Sequence, residues 1–128
     1  MENRFDPEGS DKRVFKRSAA SFILSFSVKA PLDVHVQYAG KELDAIAQDI
    51  GEGGIGMLTN GVIPVGTRLN MKFKIFNEPE YVNEKSHRTF ELEGDVRHSR
   101  LTDETDYRLG VEFVNVSEEE RKFLTKYI

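Results

Sequence analysis

Residues 68–76 read RLNMKFKIF. Leu69, Met71, Phe73 and Ile75 fall on one side of an extended chain, and Asn70, Lys72 and Lys74 fall on the other. A period of two marks a strand with one face in a core and the other in water. The same spacing recurs on both sides of this stretch. Upstream, SFILSFSV (21–28) aligns Phe22, Leu24, Phe26 and Val28, and LDVHVQY (32–38) aligns Leu32, Val34, Val36 and Tyr38. AGKE (39–42) reads as a hairpin turn around Gly40. LDAIAQDI (43–50) follows as a strand, then a glycine cluster, then IGMLT (55–59). NGVIPVGT (60–67) is a loop punctuated by Gly61, Pro64 and Gly66.

Downstream, NEPEYVNEKSH (77–87) reads as a polar hairpin loop. RTFELEGDVRHSRL (88–101) is a long strand, with a kink or bulge expected at Gly94. TDETD (102–106) is a turn, and YRLGVEFVNV (107–116) is the last strand. SEEERKFLTKYI (117–128) is a helix with a capping box in Ser117 and Glu120. Its acidic start and basic end suit the helix dipole, and Phe123, Leu124, Tyr127 and Ile128 form its apolar face. Six or seven short strands closed by one helix predict an all-β fold, a small antiparallel barrel on which the helix lies. Residues 1–12 carry Pro7, Gly9 and no apolar period, which predicts a disordered tail. Residues 13–128 form one domain.

Composition narrows the function. The 128 residues suit a single domain, and no apolar run approaches the ~18 residues that would span a bilayer. FILSF is too short, and the preceding MENRFDPEGSD too acidic, for a signal peptide. With no cysteine there is neither a disulfide nor thiolate chemistry, and a cytoplasmic location is expected. The net charge of −4 is uneven. Residues 11–29 carry Lys12, Arg13, Lys16, Arg17 and Lys29 against Asp11, so this segment is +4 and the rest −8. An acidic chain is poorly suited to DNA or RNA, where affinity comes from neutralising many phosphates. A local basic cluster suits a small anionic ligand.

No catalytic set is visible. His35, His87 and His98 lack ligand-like spacing, so no metal is expected. No G-x-S-x-G occurs, and GEGGIG neither matches G-x-G-x-x-G nor sits in a βαβ unit. Two features remain. Arg13-x-x-x-Arg17 lies in the run KRVFKR, which is either a solvated basic linker or a phosphate grip, since arginine donates in parallel pairs and stacks on bases. DIGEGG (49–54) is either a hairpin turn or a ligand cradle. In a strand, Asp49 and Gly51 share a face, and a carboxylate there can accept paired donors from a guanine edge. The glycines beyond permit positive φ and close approach of a ligand.

Taken in order, these features make the chain resemble the PilZ domain family over roughly residues 11–128. RxxxR matches Arg13 and Arg17, and [D/N]xSxxG aligns with Asp49 to Gly54 some thirty residues later. LEGDVRHSR and YRLGVEFVNVSEEERKFLTKYI are similar to the family's last strands and closing helix. The resemblance implies a six-stranded β-barrel with a C-terminal helix, binding cyclic di-GMP without cofactor or catalysis. It implies that Arg13 and Arg17 hold phosphates and stack on guanine, that Asp49 bonds a guanine, and that Gly54 lets the chain turn. It further implies that the N-terminal segment folds over the ligand and signals to a protein partner. Gly51 departs from the pattern, standing where the family has serine. The lost hydroxyl removes one neutral hydrogen bond, worth about 0.5–1.5 kcal/mol. Weaker binding is therefore expected, with a protein-interaction module that has lost the nucleotide as the alternative. The segment between Arg17 and Leu32 reads equally as a longer first strand or as an added surface element.

Overall fold

The structure, a computed structural model, describes residues 17–38, 40–76, 87–102 and 105–127. The predicted tail, Arg13, most of the loop at 77–87 and part of the turn at 102–106 lie outside the described residues. The elements are β1 (Arg17–Ala30), α1 (Leu32–Gln37), β2 (Leu43–Gly51), β3 (Gly54–Thr59), β4 (Arg68–Phe76), β5 (His87–Leu101), β6 (Tyr107–Val114) and α2 (Glu118–Tyr127). The six strands form a closed barrel in the order β1-β2-β3-β6-β5-β4, with every neighbour antiparallel.

Closure depends on the length of β1. Its 14 residues serve two partners. Arg17 to Phe26 pair with β2, from Arg17↔Gly51 to Phe26↔Leu43, and Ser25 to Ala30 pair with β4, from Ser25↔Lys72 to Ala30↔Arg68. The segment SFILSFSV is thus neither an ornament nor a separate element but the strand that joins the two ends of the sheet. Its apolar face goes inward: Leu24, Phe26 and Val28 are buried, as are Leu69, Met71, Phe73 and Ile75 of β4. Pairing along Ser25–Ala30 and Arg68–Lys72 closes the sheet and removes the free edge over that stretch.

The stretch LDVHVQY departs from the expected strand, and residues 32–37 form a helix. Alternation predicts a shared face for Leu32, Val34 and Val36, yet only Val34 is buried, while Leu32 and Val36 are 74 % and 64 % exposed. Tertiary context overrides β-propensity. β1 already completes the sheet, and Val34 enters the core as α1 packs against β1. His35 sits in this helix with Nδ1 2.9 Å from the Val28 carbonyl oxygen. Gly40 does make a turn, in the left-handed region at φ 65°, but it joins a helix to β2 and makes no hairpin.

α2 packs at the opposite end of the barrel. Its capping box forms as expected: Ser117 N–H donates to Glu120 Oε1 at 3.0 Å, and Glu120 N–H donates to Ser117 Oγ at 3.1 Å. Leu124 is fully buried. Phe123 ends a run of rings, Phe22–Phe73–Phe90–Phe123, at centroid separations of 5.6, 5.3 and 5.6 Å. Tyr127 and Ile128, the rest of the predicted apolar face, have side chains outside the described residues. Arg88 lies 5.6 Å from the Phe90 ring and 5.9 Å from that of Phe123, a cation–π contact to each.

Gly94 makes no bulge; the register of β5 against β6 shifts between Val96 and His98. Gly94 is instead a packing requirement. A Cβ there would lie 2.5 Å from Val111 Cγ1, 2.8 Å from Met71 Cε and 3.1 Å from the Glu112 carbonyl oxygen. Gly94→Ala is expected to destabilise the barrel by about 1–3 kcal/mol, the usual cost of overpacking, read from the urea midpoint.

Outside the barrel, Lys29 pairs with Glu93, Arg68 with both Asp95 and Glu93, and Arg97 with Glu112. The hydrogen bond from Lys29 holds Glu93 below the usual carboxylate range, and that from Arg68 does the same for Asp95. A depressed pKa contributes stability above the unfolded value, and the contribution is lost as pH falls through the folded value. Arg68→Ala is therefore expected to cost stability at neutral pH, and the gap from the parent, in urea melts, closes as pH drops below roughly 4. A gap independent of pH would contradict this.

Candidate ligand-binding site

Strict alternation along β2 would place Asp49 with Ala45 and Ala47, inside the barrel. A bulge prevents it. Ala47 pairs with Met57 and Asp49 with Gly56, so Gln48 has no partner on β3. On the other side, Ala19 pairs with Asp49 and Phe22 with Ala47. Ala47 and Ile50 are buried, and Asp49 is turned to the outer face. A bulge re-aims side chains in this way.

The bulge opens a row across the barrel exterior in which Ala19, Asp49, Gly56, Gly110 and His98 are successive cross-strand neighbours. Two glycines side by side leave the backbone bare, and side chains from neighbouring positions fill the space. Arg108 lies against Gly56, where a Cβ would be 2.1 Å from Nη1. The His98 ring lies against Gly110, where a Cβ would be 3.1 Å from Cδ2. Arg108 Nη2 donates to Asp49 Oδ2 at 2.7 Å, and Nη1 donates to the Leu109 carbonyl at 3.3 Å. The two charged side chains are 22 % and 19 % exposed, shielded enough for their attraction to exceed that of a surface pair.

The sequence-predicted residues partly converge. Arg17 pairs in the ladder with Gly51, and two residues on, Ala19 pairs with Asp49. The C-terminal arginine of RxxxR and the aspartate of DIGEGG, 32 positions apart in sequence, therefore meet on one sheet. Gly54 opens β3 opposite Glu112, and Arg13 lies outside the described residues. The expectation of positive φ in the glycine cluster is not met, because the left-handed glycines among the described residues are Gly40 and Gly66. The turn is confined to Glu52 and Gly53, whose carbonyl accepts from Phe113 N–H at 3.0 Å. Arg121 of α2 reaches Glu52 at 3.5 Å and ties the closing helix to this turn.

Arg108 escaped the sequence reading, which took Gly56 with the glycine turn and His98 as a histidine without ligand-like spacing. Parity puts Arg108 outward, between Tyr107 and the buried Leu109. Its meeting with Asp49, however, depends on β6 lying beside β3, which no local pattern reveals. Beside the site, Ile23, Ile46 and Leu58 are consecutive cross-strand neighbours leading to Arg108. With Asp44, Asn60 and Asp106 they line an open cleft of about 250 Å³. Among the described residues no cluster of three or more His, Cys, Asp or Glu could hold a metal ion, and no helix is long and apolar enough to cross a membrane.

Comparison with solved structures finds the same fold at low sequence identity. The Bacillus subtilis inhibitor of motility MotI/DgrA superposes with a TM-score of 0.64 at 17 % identity, over 91 % of this chain and 48 % of that one. The PilZ domain of Escherichia coli YcgR with c-di-GMP gives 0.62 at 18 % identity, over 91 % and 88 %. YcgR in complex with c-di-GMP gives 0.59 at 19 % identity, over 90 % and 43 %. This chain thus spans about half the length of MotI and less than half of YcgR. No curated protein sequence matches it. The PilZ domain model matches residues 11–128, nearly the whole chain, and with the closed barrel this makes the protein a member of the PilZ domain family.

Proposed function

We propose that this protein is a receptor for cyclic di-GMP, without catalytic activity, that works in the cytoplasm. The observation that carries the reading is the outward turn of Asp49 at the Gln48 bulge, on the strand that pairs with Arg17. A carboxylate at that place can accept the N1 and N2 hydrogens of a guanine edge. Arg13 and Arg17 supply charge-assisted bonds to the phosphates and a planar surface for a base. YcgR, which shares the fold, is described with c-di-GMP bound.

Gly51 supplies no hydroxyl, so the guanine contact is thinner than in the family pattern, and the arginines carry more of the affinity. Gly54 ends the motif where β3 begins. Ordering of the segment around Arg13 on the bound ligand would give the signal, and a protein partner would read it. The described phenylalanines speak against DNA or RNA as the ligand. Phe22, Phe26, Phe73, Phe90, Phe113 and Phe123 are buried in the core or packed against it, away from the exposed platform on which a single strand stacks. The second reading, a protein-interaction module that binds no nucleotide, draws on Gly51 and on the exposed Ile23 and Ile46 beside the site.

Isothermal titration calorimetry with cyclic di-GMP, with GMP and cyclic di-AMP as controls, separates the two. Saturable, guanine-specific binding is expected. Arg13→Ala and Arg17→Ala should each weaken it by about tenfold or more, the worth of a charge-assisted contact. Gly51→Ser should tighten it by roughly a few-fold to tenfold. Binding indifferent to Arg13→Ala contradicts the receptor site. The absence of heat at two temperatures supports the interaction module.

A further inference from the structure

Arg108 is a well-shielded cation placed on the predicted guanine acceptor. Three constraints fix it there. Nη2 donates to Asp49 Oδ2, Nη1 donates to the Leu109 carbonyl, and the guanidinium lies on the bare backbone of Gly56. A fourth acts from behind: Arg100 is its direct cross-strand neighbour on β5, and like charges opposite each other repel. Pushed from that side and attracted from the other, the Arg108 guanidinium is held toward Asp49. Asp49 stands next to a bulge, where the ladder is interrupted.

We infer that Arg108, seated on Gly56, is a positioning residue that holds the Asp49 carboxylate in the plane from which it reads the paired donors of a purine edge. This inference rests on the receptor reading above. An ionised carboxylate has about four acceptor sites, so a guanidinium and a base edge can be accommodated together. The role also explains glycine at position 56. The residue sits in a strand, where glycine costs stability, and any side chain there would displace the guanidinium from its seat. Arg108 thus sets specificity through Asp49.

The test compares cyclic di-GMP with its inosine analogue, which lacks the exocyclic amine, by calorimetry on the full chain. The parent protein prefers the guanine form. Arg108→Ala is expected to lower affinity for cyclic di-GMP about tenfold and to bring the two ligands close to equal. Arg108→Lys, which keeps the charge, should restore part of the preference. In an Asp49→Asn background, Arg108→Ala should add little. Thermal melts confirm that each variant is folded, and Gly56→Ala, which keeps both charges but blocks the seat, should copy Arg108→Ala. A folded Arg108→Ala that retains the guanine preference, or binds more tightly because Arg108 competes with the base, overturns the inference alone. A parent protein that binds neither ligand overturns the receptor reading first, and the inference with it.

Discussion

Everything in this structure depends on one strand reaching two partners. β1 pairs with β2 along its first part and with β4 along its second, and without that overlap the sheet would have two open edges. Closure sorts the side chains into those inside and those outside, and it makes the exceptions to alternation consequential. Between Ala19 and Phe22 on β1, and at Gln48 on β2, the register slips. There a carboxylate that alternation would place inside is brought out. A bulge in a barrel wall is a local fault in the ladder and also the means of putting a charged group on an otherwise regular surface.

The two ends of the barrel are unlike. α2 is tied to the Glu52 turn through Arg121 and to the core through Phe123 and Leu124. It therefore fixes the end at which Arg17 and Gly51 meet. α1 packs against β1 toward the other end with a single buried residue, Val34. Its partner there is the loop after β3, which Tyr38 holds by donating its hydroxyl hydrogen to the Val62 carbonyl. The candidate site lies on the wall, toward the end that α2 and the glycine turn close. Rigid strands hold a site more closely than loops do.

Much of this was legible in the residues. The alternation of RLNMKFKIF and of YRLGVEFV, and the Ser117/Glu120 box, appear in the structure as read. What was not legible is what strand order decides. LDVHVQY has strand spacing and became a helix because the sheet was already complete and the core took Val34. Gly94 looked like a bulge signal and proved to be a hole for Val111 and Met71. The glycines after Asp49 looked like left-handed turn positions, yet Gly56 is a strand residue whose bareness serves Arg108. A local pattern carries parity and turn signals. It does not carry the neighbour 59 positions away that occupies the same surface.

The central claim is that the wall around Asp49 receives the nucleotide. Its most direct test is an amide NMR map of the isotopically labelled protein as cyclic di-GMP is added, read at the glycines. The account predicts that Gly51, Gly56 and Gly110 shift while Gly61 and Gly66, in the loop between β3 and β4, stay in place. Shifts centred on Gly61 and Gly66, or a spectrum unchanged at saturating nucleotide, would contradict it.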